Sequence, residues 1–290
     1  MERLLIVAVL TAVIHFINTL IYAVRISGVR TGRLAIAFSL FNVFFLLAST
    51  ANSVQGFLLA SIVERAIKTA QELSGGIIPP GQLLHSAAYQ VQLGLLDHNI
   101  RLVILAASAG TLLGAFLIPA FVNIFVRAIF LFEETGSVPR MIGMVLFSPR
   151  KVCKLTGQLY LPRKKTFDLT IAKKIAIPKT FLFLNLIVSG VYTTGVLSAL
   201  YAGALYPEFR TTAASLSAVV NGVATILAAT VVEPTAASIT DQAVRGERSE
   251  KDVKQMALYL AITRLMGTFL AQLIFLPAAY LIRFAATMLA

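Results

Sequence analysis

TAVIHFINTLIYAVRISGVRTGRLAIAFSLFN, residues Thr11–Asn42, decides how the rest of the chain reads. Its first half is apolar enough to cross a bilayer, yet Thr11, His15, Asn18, Tyr22 and Arg25 recur at steps of four, three, four and three. On a helix those steps fall on one face. At a rise of about 1.5 Å per residue the face is about 21 Å long, most of a hydrocarbon core of about 30 Å. Such a stripe cannot look at lipid, where an unpaired amide, imidazole or guanidinium costs several kcal/mol, so it faces protein or water. Packing alone is the simpler reading for Thr11 or Asn18, since an interhelical hydrogen bond is worth about 0.6 kcal/mol on average. His15 and Arg25 on the same face point further, because ionisable groups aligned along one span mark a pathway. The stripe is therefore expected to form one wall of a hydrophilic cavity.

Composition agrees with a membrane setting. The 290 residues contain 58% hydrophobic and only 13% charged side chains, and the mean hydropathy is +0.83, far from the quarter of charged residues typical of soluble domains. The net charge of +12 would suggest nucleic acid in a soluble protein. Here the basic residues sit in loops that flank apolar stretches, so topology explains them and no nucleic-acid partner is expected. A single cysteine, Cys153, excludes an intrachain disulfide, and no Cys/His cluster suggests a metal. The first span is read as a retained anchor and not a signal peptide, because Glu2 cancels Arg3 and no small-x-small cleavage site precedes Arg25.

Six stretches are long enough to cross: about 3–24, 34–60, 102–131, 179–204, 211–232 and 257–287. All are predicted helices, since open sheet edges cannot sit in lipid. The fold class is thus all-α and polytopic, a single transmembrane domain over 1–290. Arg25, Arg30 and Arg33 lie in the first connection; Arg140, Arg150, Lys151, Lys154, Arg163, Lys164, Lys165, Lys173 and Lys174 in the third; Arg245, Arg248, Lys251 and Lys254 in the fifth. The positive-inside rule puts these three in the cytoplasm and both termini outside. In the second connection helix extends the second span through Leu73, breakers follow at Ser74-Gly75-Gly76 and Pro79-Pro80-Gly81, and Leu83–Leu96 is expected to form an amphipathic helix on the outer surface. Met141, Met144, Leu146 and Phe147, spaced between charges, predict an amphipathic segment on the inner leaflet in the third. Cut at that long loop, the chain has the layout of two inverted three-helix halves.

Polar residues recur in the other spans too. Ser39 and Asn42 share a face of the second, Asn185, Ser189 and Tyr192 of the fourth, Ser217, Asn221 and Thr225 of the fifth with Glu233 two steps on, and Arg264, Thr268 and Gln272 of the sixth. Each run alone reads as helix packing; together they suggest helices around a common polar interior. No GxxxxGK[ST], HExxH or GxSxG motif is present, which argues against nucleotide, zinc or serine-hydrolase chemistry and implies no cofactor. Arg, His, Asn and Thr without those motifs favour translocation over catalysis, and their sign favours an anion. A transporter of a small anionic solute stays open as an alternative. His15 offers a further option, proton coupling, through a pKa ordinarily near 6.5.

The run Val13-Ile14-His15-Phe16, Thr19-Leu20-Ile21-Tyr22, Arg25, Gly28-Val29-Arg30-Thr31-Gly32 and Ser39-Leu40-Phe41-Asn42 resembles the N-terminal signature of the Amj family of bacterial alternate lipid II flippases. Glu233-Pro234, Thr240-Asp241 and Gly246 resemble that family's acidic-Pro and Thr-Asp element after the fifth span, with Glu233 in place of the usual Asp. The resemblance implies a transporter of the bacterial cytoplasmic membrane, with lipid II (the undecaprenyl-pyrophosphate-linked disaccharide-pentapeptide) as partner among the membrane lipids. It leaves the oligomeric state and the binding residues open, and beside it stand three alternatives: a transporter of another anionic lipid or a small anionic solute, a membrane enzyme acting on polyprenyl pyrophosphate, and a non-transporting assembly partner of the wall-synthesis machinery. On the physical reading the candidate substrate-binding residues are His15, Asn18, Tyr22, Arg25, Arg30, Arg33, Asn42, Asn221, Glu233, Asp241 and Arg264. Arg25, Arg30 and Arg33 are expected at the cytoplasmic entry for an anionic headgroup.

Overall fold

A chain that must satisfy its own backbone in lipid has helices as its open-ended solution, and the computed structural model is helical throughout the residues it describes, 2–75, 79–147 and 177–289. Its helices are α1 (Glu2–Thr19), α2 (Ile21–Thr31), α3 (Leu34–Leu73), α4 (Ala87–Thr135), α5 (Val138–Phe147), α6 (Lys179–Leu205), α7 (Arg210–Leu227), α8 (Glu233–Val244) and α9 (Glu250–Leu289), with single turns at Pro80–Leu83 and Pro207–Phe209. Six segments are long and apolar enough to cross a membrane: α1 with α2, α3, α4, α6, α7 with α8, and α9. This is the expected number, and the protein is a multi-pass membrane protein.

Several boundaries differ from the sequence reading. The first span runs to Thr31 and is interrupted at Leu20, where the Leu20 amide is shared between the carbonyls of Phe16 and Ile17 and the Ala23 amide reaches back only three residues to Leu20. The Thr19 hydroxyl donates to the His15 carbonyl at 2.7 Å, a back-bond that bends helices. The separate helix expected over Leu83–Leu96 does not exist: from Ala87 onward that segment is the start of α4, whose 49 residues run about 74 Å. Its N-terminus is capped by Ser86, which accepts from the Tyr89 amide. The apolar face read as membrane-seeking instead packs on the extension of α3, with Leu93 and Leu96 meeting Leu59, Val63 and Ile67. In the third connection α5 is a helix as expected, but Met141 packs against the bundle core. The basic residues from Arg150 to Lys174 lie outside the described residues.

The fifth span also continues past its expected end. Pro234 has no amide hydrogen for the carbonyl of Thr230, and the chain takes a wider π-turn over Ala228–Val232 before α8 resumes at Glu233. Pro119 and Pro277, by contrast, sit inside unbroken helices.

Close approach holds the spans together. A Cβ on Gly110 of α4 would lie 2.1 Å from the Ala12 carbonyl oxygen of α1, and one on Gly267 of α9 would lie 2.5 Å from the Leu186 carbonyl oxygen of α6. Small residues at such crossings let backbones meet where lipid offers no hydrophobic drive between helices. The first span thus packs mainly on the third and second, and the fourth on the sixth and fifth. This is the partner pattern that two inverted halves would produce, although the two helix interruptions, in the first and fifth spans, do not occupy matching positions.

Gly110→Ala is expected to lower the thermal stability of detergent-solubilised protein by about 1–3 kcal/mol, because the backbone of Ala12 cannot yield as a side chain would. Gly56→Ala, where a Cβ meets nothing within 4 Å, should raise it by about 0.5–1 kcal/mol through helix propensity. Melting curves of the two variants, compared in the same detergent, check both.

Candidate functional site

The two interrupted spans face each other at one end of the bundle. Gly32, at φ 68°, ends α2 and returns the chain at once into α3, so α2 and the start of α3 form one tight unit. Arg25 lies on α2 with only 3% of its side chain exposed, and its Nη2 donates to Oε2 of Glu233 at 2.5 Å. The carboxylate comes from the first turn of α8, directly after the π-turn, and its side chain is 59% exposed. The guanidinium carbon also stands 5.2 Å from the centre of the Phe38 ring, a cation–π geometry. One member of this pair is therefore held inside and the other is free to leave.

Beside the pair is a groove of about 790 Å³. Arg25, Leu34 and Phe38 form one wall; Glu233, Pro234, Ala237, Ser238, Thr240, Asp241 and Arg245 form the other. At its mouth Arg245 donates to Asp241 through Nη1 and to Glu247 through Nε, both at 2.7 Å. The bond from Arg245 holds the Glu247 carboxyl below the usual carboxylate range, so this end remains an ionised cluster at neutral pH. The lining carries two guanidiniums and two carboxylates.

The other two arginines of the first connection stand apart from the groove. Arg30 donates through Nη2 to Glu250 at 2.7 Å and through Nη1 to Asn123 at 3.3 Å, and Arg33 is paired with Glu133 and lies over the Phe130 ring. Each ties the first connection to a neighbouring helix, α9 or α4. The three arginines expected at a headgroup entry are thus each ion-paired, with partners a hundred or more residues away in sequence.

The stripe on the first span divides at its interruption. Above Leu20 it packs: the Thr11 hydroxyl donates to the Val7 carbonyl at 2.7 Å, and Nδ1 of His15 is 3.4 Å from the Thr111 hydroxyl of α4. Arg264 of α9 is the electrostatic neighbour of His15, and its Nε is buried without a hydrogen-bond partner among the described residues. The Asn18 side chain is half-buried and likewise has no hydrogen bond there. Tyr22, buried, reaches the Leu260 carbonyl of α9 at 3.4 Å. Only Arg25 touches the groove, so the expected cavity wall is one residue of the five.

Remaining candidates also sort by place. Glu233 and Asp241 line the groove. Asn42, exposed, continues the Leu34–Phe38 ridge one turn beyond it. Asn221 wedges its amide against Gly195 of α6, which is packing. The other runs are mostly packing as well: Asn185 donates to the Leu260 carbonyl and to Thr263, and Gln272 and Arg101 each donate to the other's carbonyl. They do not form one polar interior. Arg245, Phe38 and Pro234 escaped the sequence reading as groove residues. The i, i+4 spacing of Asp241 and Arg245 and the 34/38/42 ridge were the available signals.

The family model described as Amj, alternate to MurJ, matches residues 10–286. A relative from Bacillus subtilis (strain 168), named "Lipid II flippase Amj", is 35% identical over 272 residues, covering 93% of this chain and 91% of that protein. No solved structure matches the chain. A match over nearly the whole length, with the groove and both helix interruptions inside it, shows that the chain belongs to the Amj family.

Proposed function

We propose that this protein is a lipid II flippase, carrying the undecaprenyl-pyrophosphate-linked precursor of peptidoglycan from the inner to the outer leaflet of the bacterial cytoplasmic membrane. The observation that carries the reading at the level of chemistry is the unequal burial of the Arg25–Glu233 pair beside the groove. A buried guanidinium whose counter-ion is mobile is a ready site for an incoming phosphate, because the exchange leaves no charge unpaired. Glu233 swings toward solvent, the pyrophosphate takes its place on Arg25, and Leu34, Phe38 and Pro234 offer an apolar flank where the polyprenyl tail leaves for lipid. The positive-inside rule places the groove at the cytoplasmic face and the termini outside.

Transport needs no nucleotide in this scheme. An inside-negative potential favours outward movement of an anion by about 2.3 kcal/mol per charge per 100 mV, and a pyrophosphate carries more than one charge. Arg30 and Arg33 serve as clamps that hold the first connection in place, not as headgroup ligands.

Arg25→Lys keeps the charge but loses the planar fork that meets two phosphate oxygens at once, and it should lower lipid II flux into the outer leaflet of proteoliposomes by about tenfold or more. Wild-type flux in that variant at normal expression would retire the role given to Arg25. Glu233→Gln removes the competing anion, and binding of undecaprenyl pyrophosphate to the purified protein should tighten by about tenfold while its release slows. Collapse of the membrane potential with the pH gradient intact should depress flux, and collapse of the pH gradient alone should leave it unchanged; the opposite outcome assigns the drive to proton coupling.

A further inference from the structure

The groove accounts for entry of an anion, yet the pathway has to continue through the middle of the bilayer. Arg264 lies on the sixth span, farther along the bundle than the groove. It is fourteen residues beyond Glu250, whose carboxylate pairs with Arg30 at the groove end of the bundle, so it lies about 21 Å along α9 from that pair. His15, its electrostatic neighbour, is ten residues before Arg25 on the first span, about 15 Å deeper than the groove. Among the described residues no carboxylate pairs with Arg264, and its Nε is buried without a hydrogen-bond partner. Arg25, Arg30, Arg33 and Arg101 all have one. Nearby is a group that suits an anion and does not neutralise a cation, the His15 imidazole, whose Nδ1 already meets Thr111.

An ionised guanidinium at that depth is costly unless something anionic or wet meets it. Among the described residues no carboxylate completes it. Resting on the flippase reading above, we infer that Arg264, with His15 beside it, is a second anion station, which holds the pyrophosphate of the lipid in transit after it leaves Arg25. The counter-ion missing from the chain is the cargo itself. A second station also divides the crossing into two shorter steps, and binding at each can stay weak enough for the anion to move on.

The test is protection of Arg264 from phenylglyoxal, a small apolar reagent that modifies guanidiniums, in the full-length detergent-solubilised protein, with adducts assigned by peptide mass. Undecaprenyl pyrophosphate should reduce the adduct at Arg264 about tenfold, and undecaprenol, which lacks the phosphates, should not. In proteoliposomes Arg264→Gln should lower lipid II flux about tenfold or more while binding at the Arg25 groove persists, and Arg264→Lys should restore part of the flux. An Arg264 that never reacts, or that reacts equally with and without the pyrophosphate lipid, overturns the station whatever the flux. Wild-type flux in Arg264→Gln overturns it too. If protection is seen but the unmodified protein moves no lipid II, the station stands for another pyrophosphate lipid and the flippase reading fails alone.

Discussion

A charged side chain inside a membrane protein must have a partner, and most of this architecture follows from how its arginines meet that demand. Arg25, Arg30 and Arg33 leave the first span within nine residues of one another, and each finds a carboxylate on a different helix: Glu233 on α8, Glu250 on α9 and Glu133 on α4. Three ion pairs thereby gather the ends of four spans around one short connection. Two are clamps between partly exposed groups. The third differs because its guanidinium is buried and its carboxylate is not, and that inequality makes a fixed structural element into a place where one anion can replace another.

The helix interruptions serve the same place. Leu20 lets α2 depart from the line of α1 and carry Arg25 into the bundle, and the π-turn over Ala228–Val232 sets the direction in which Glu233 emerges. Irregular backbone inside a membrane is tolerated where protein or water surrounds it, and both interruptions lie beside the groove end. Elsewhere the bundle is regular and close-packed. Gly110 and Gly267 bring helix backbones into contact, and hydroxyl and amide side chains are spent on carbonyls of the same or the neighbouring helix. A close-packed frame with one loosened corner suits a carrier that admits a large headgroup at one end.

Legibility in the sequence differed sharply between these features. Six spans, helical class and the breakers at Ser74 and Pro79 follow from local hydropathy and turn chemistry, which depend on near neighbours alone. Arg25, Glu233 and Asp241 stood out for the same reason: a charge or a Glu-Pro pair beside an apolar stretch is conspicuous wherever it occurs. The stripe from Thr11 to Arg25 was visible as a stripe, but periodicity cannot tell a face that meets water from one that meets Gly110 and Thr111 of another helix. Its upper part proved to be the second kind.

What the sequence by itself determined is the number of crossings, their helical nature and the list of groups that cannot face lipid, since the bilayer imposes those requirements on each segment separately. Which carboxylate answers which arginine was decided only in the tertiary structure. Glu133, Glu233 and Glu250 are 100 to 220 residues from their partners, and nothing local distinguishes a guanidinium about to be neutralised from one left bare. The arginines of the first connection were therefore balanced by acids that arrive on other helices, while Arg264, unremarkable in sequence as one more polar position on a packed span, meets no acid among the described residues. Charge balance in a membrane bundle is a property of helix adjacency, and adjacency is set by packing, not by the chain's order.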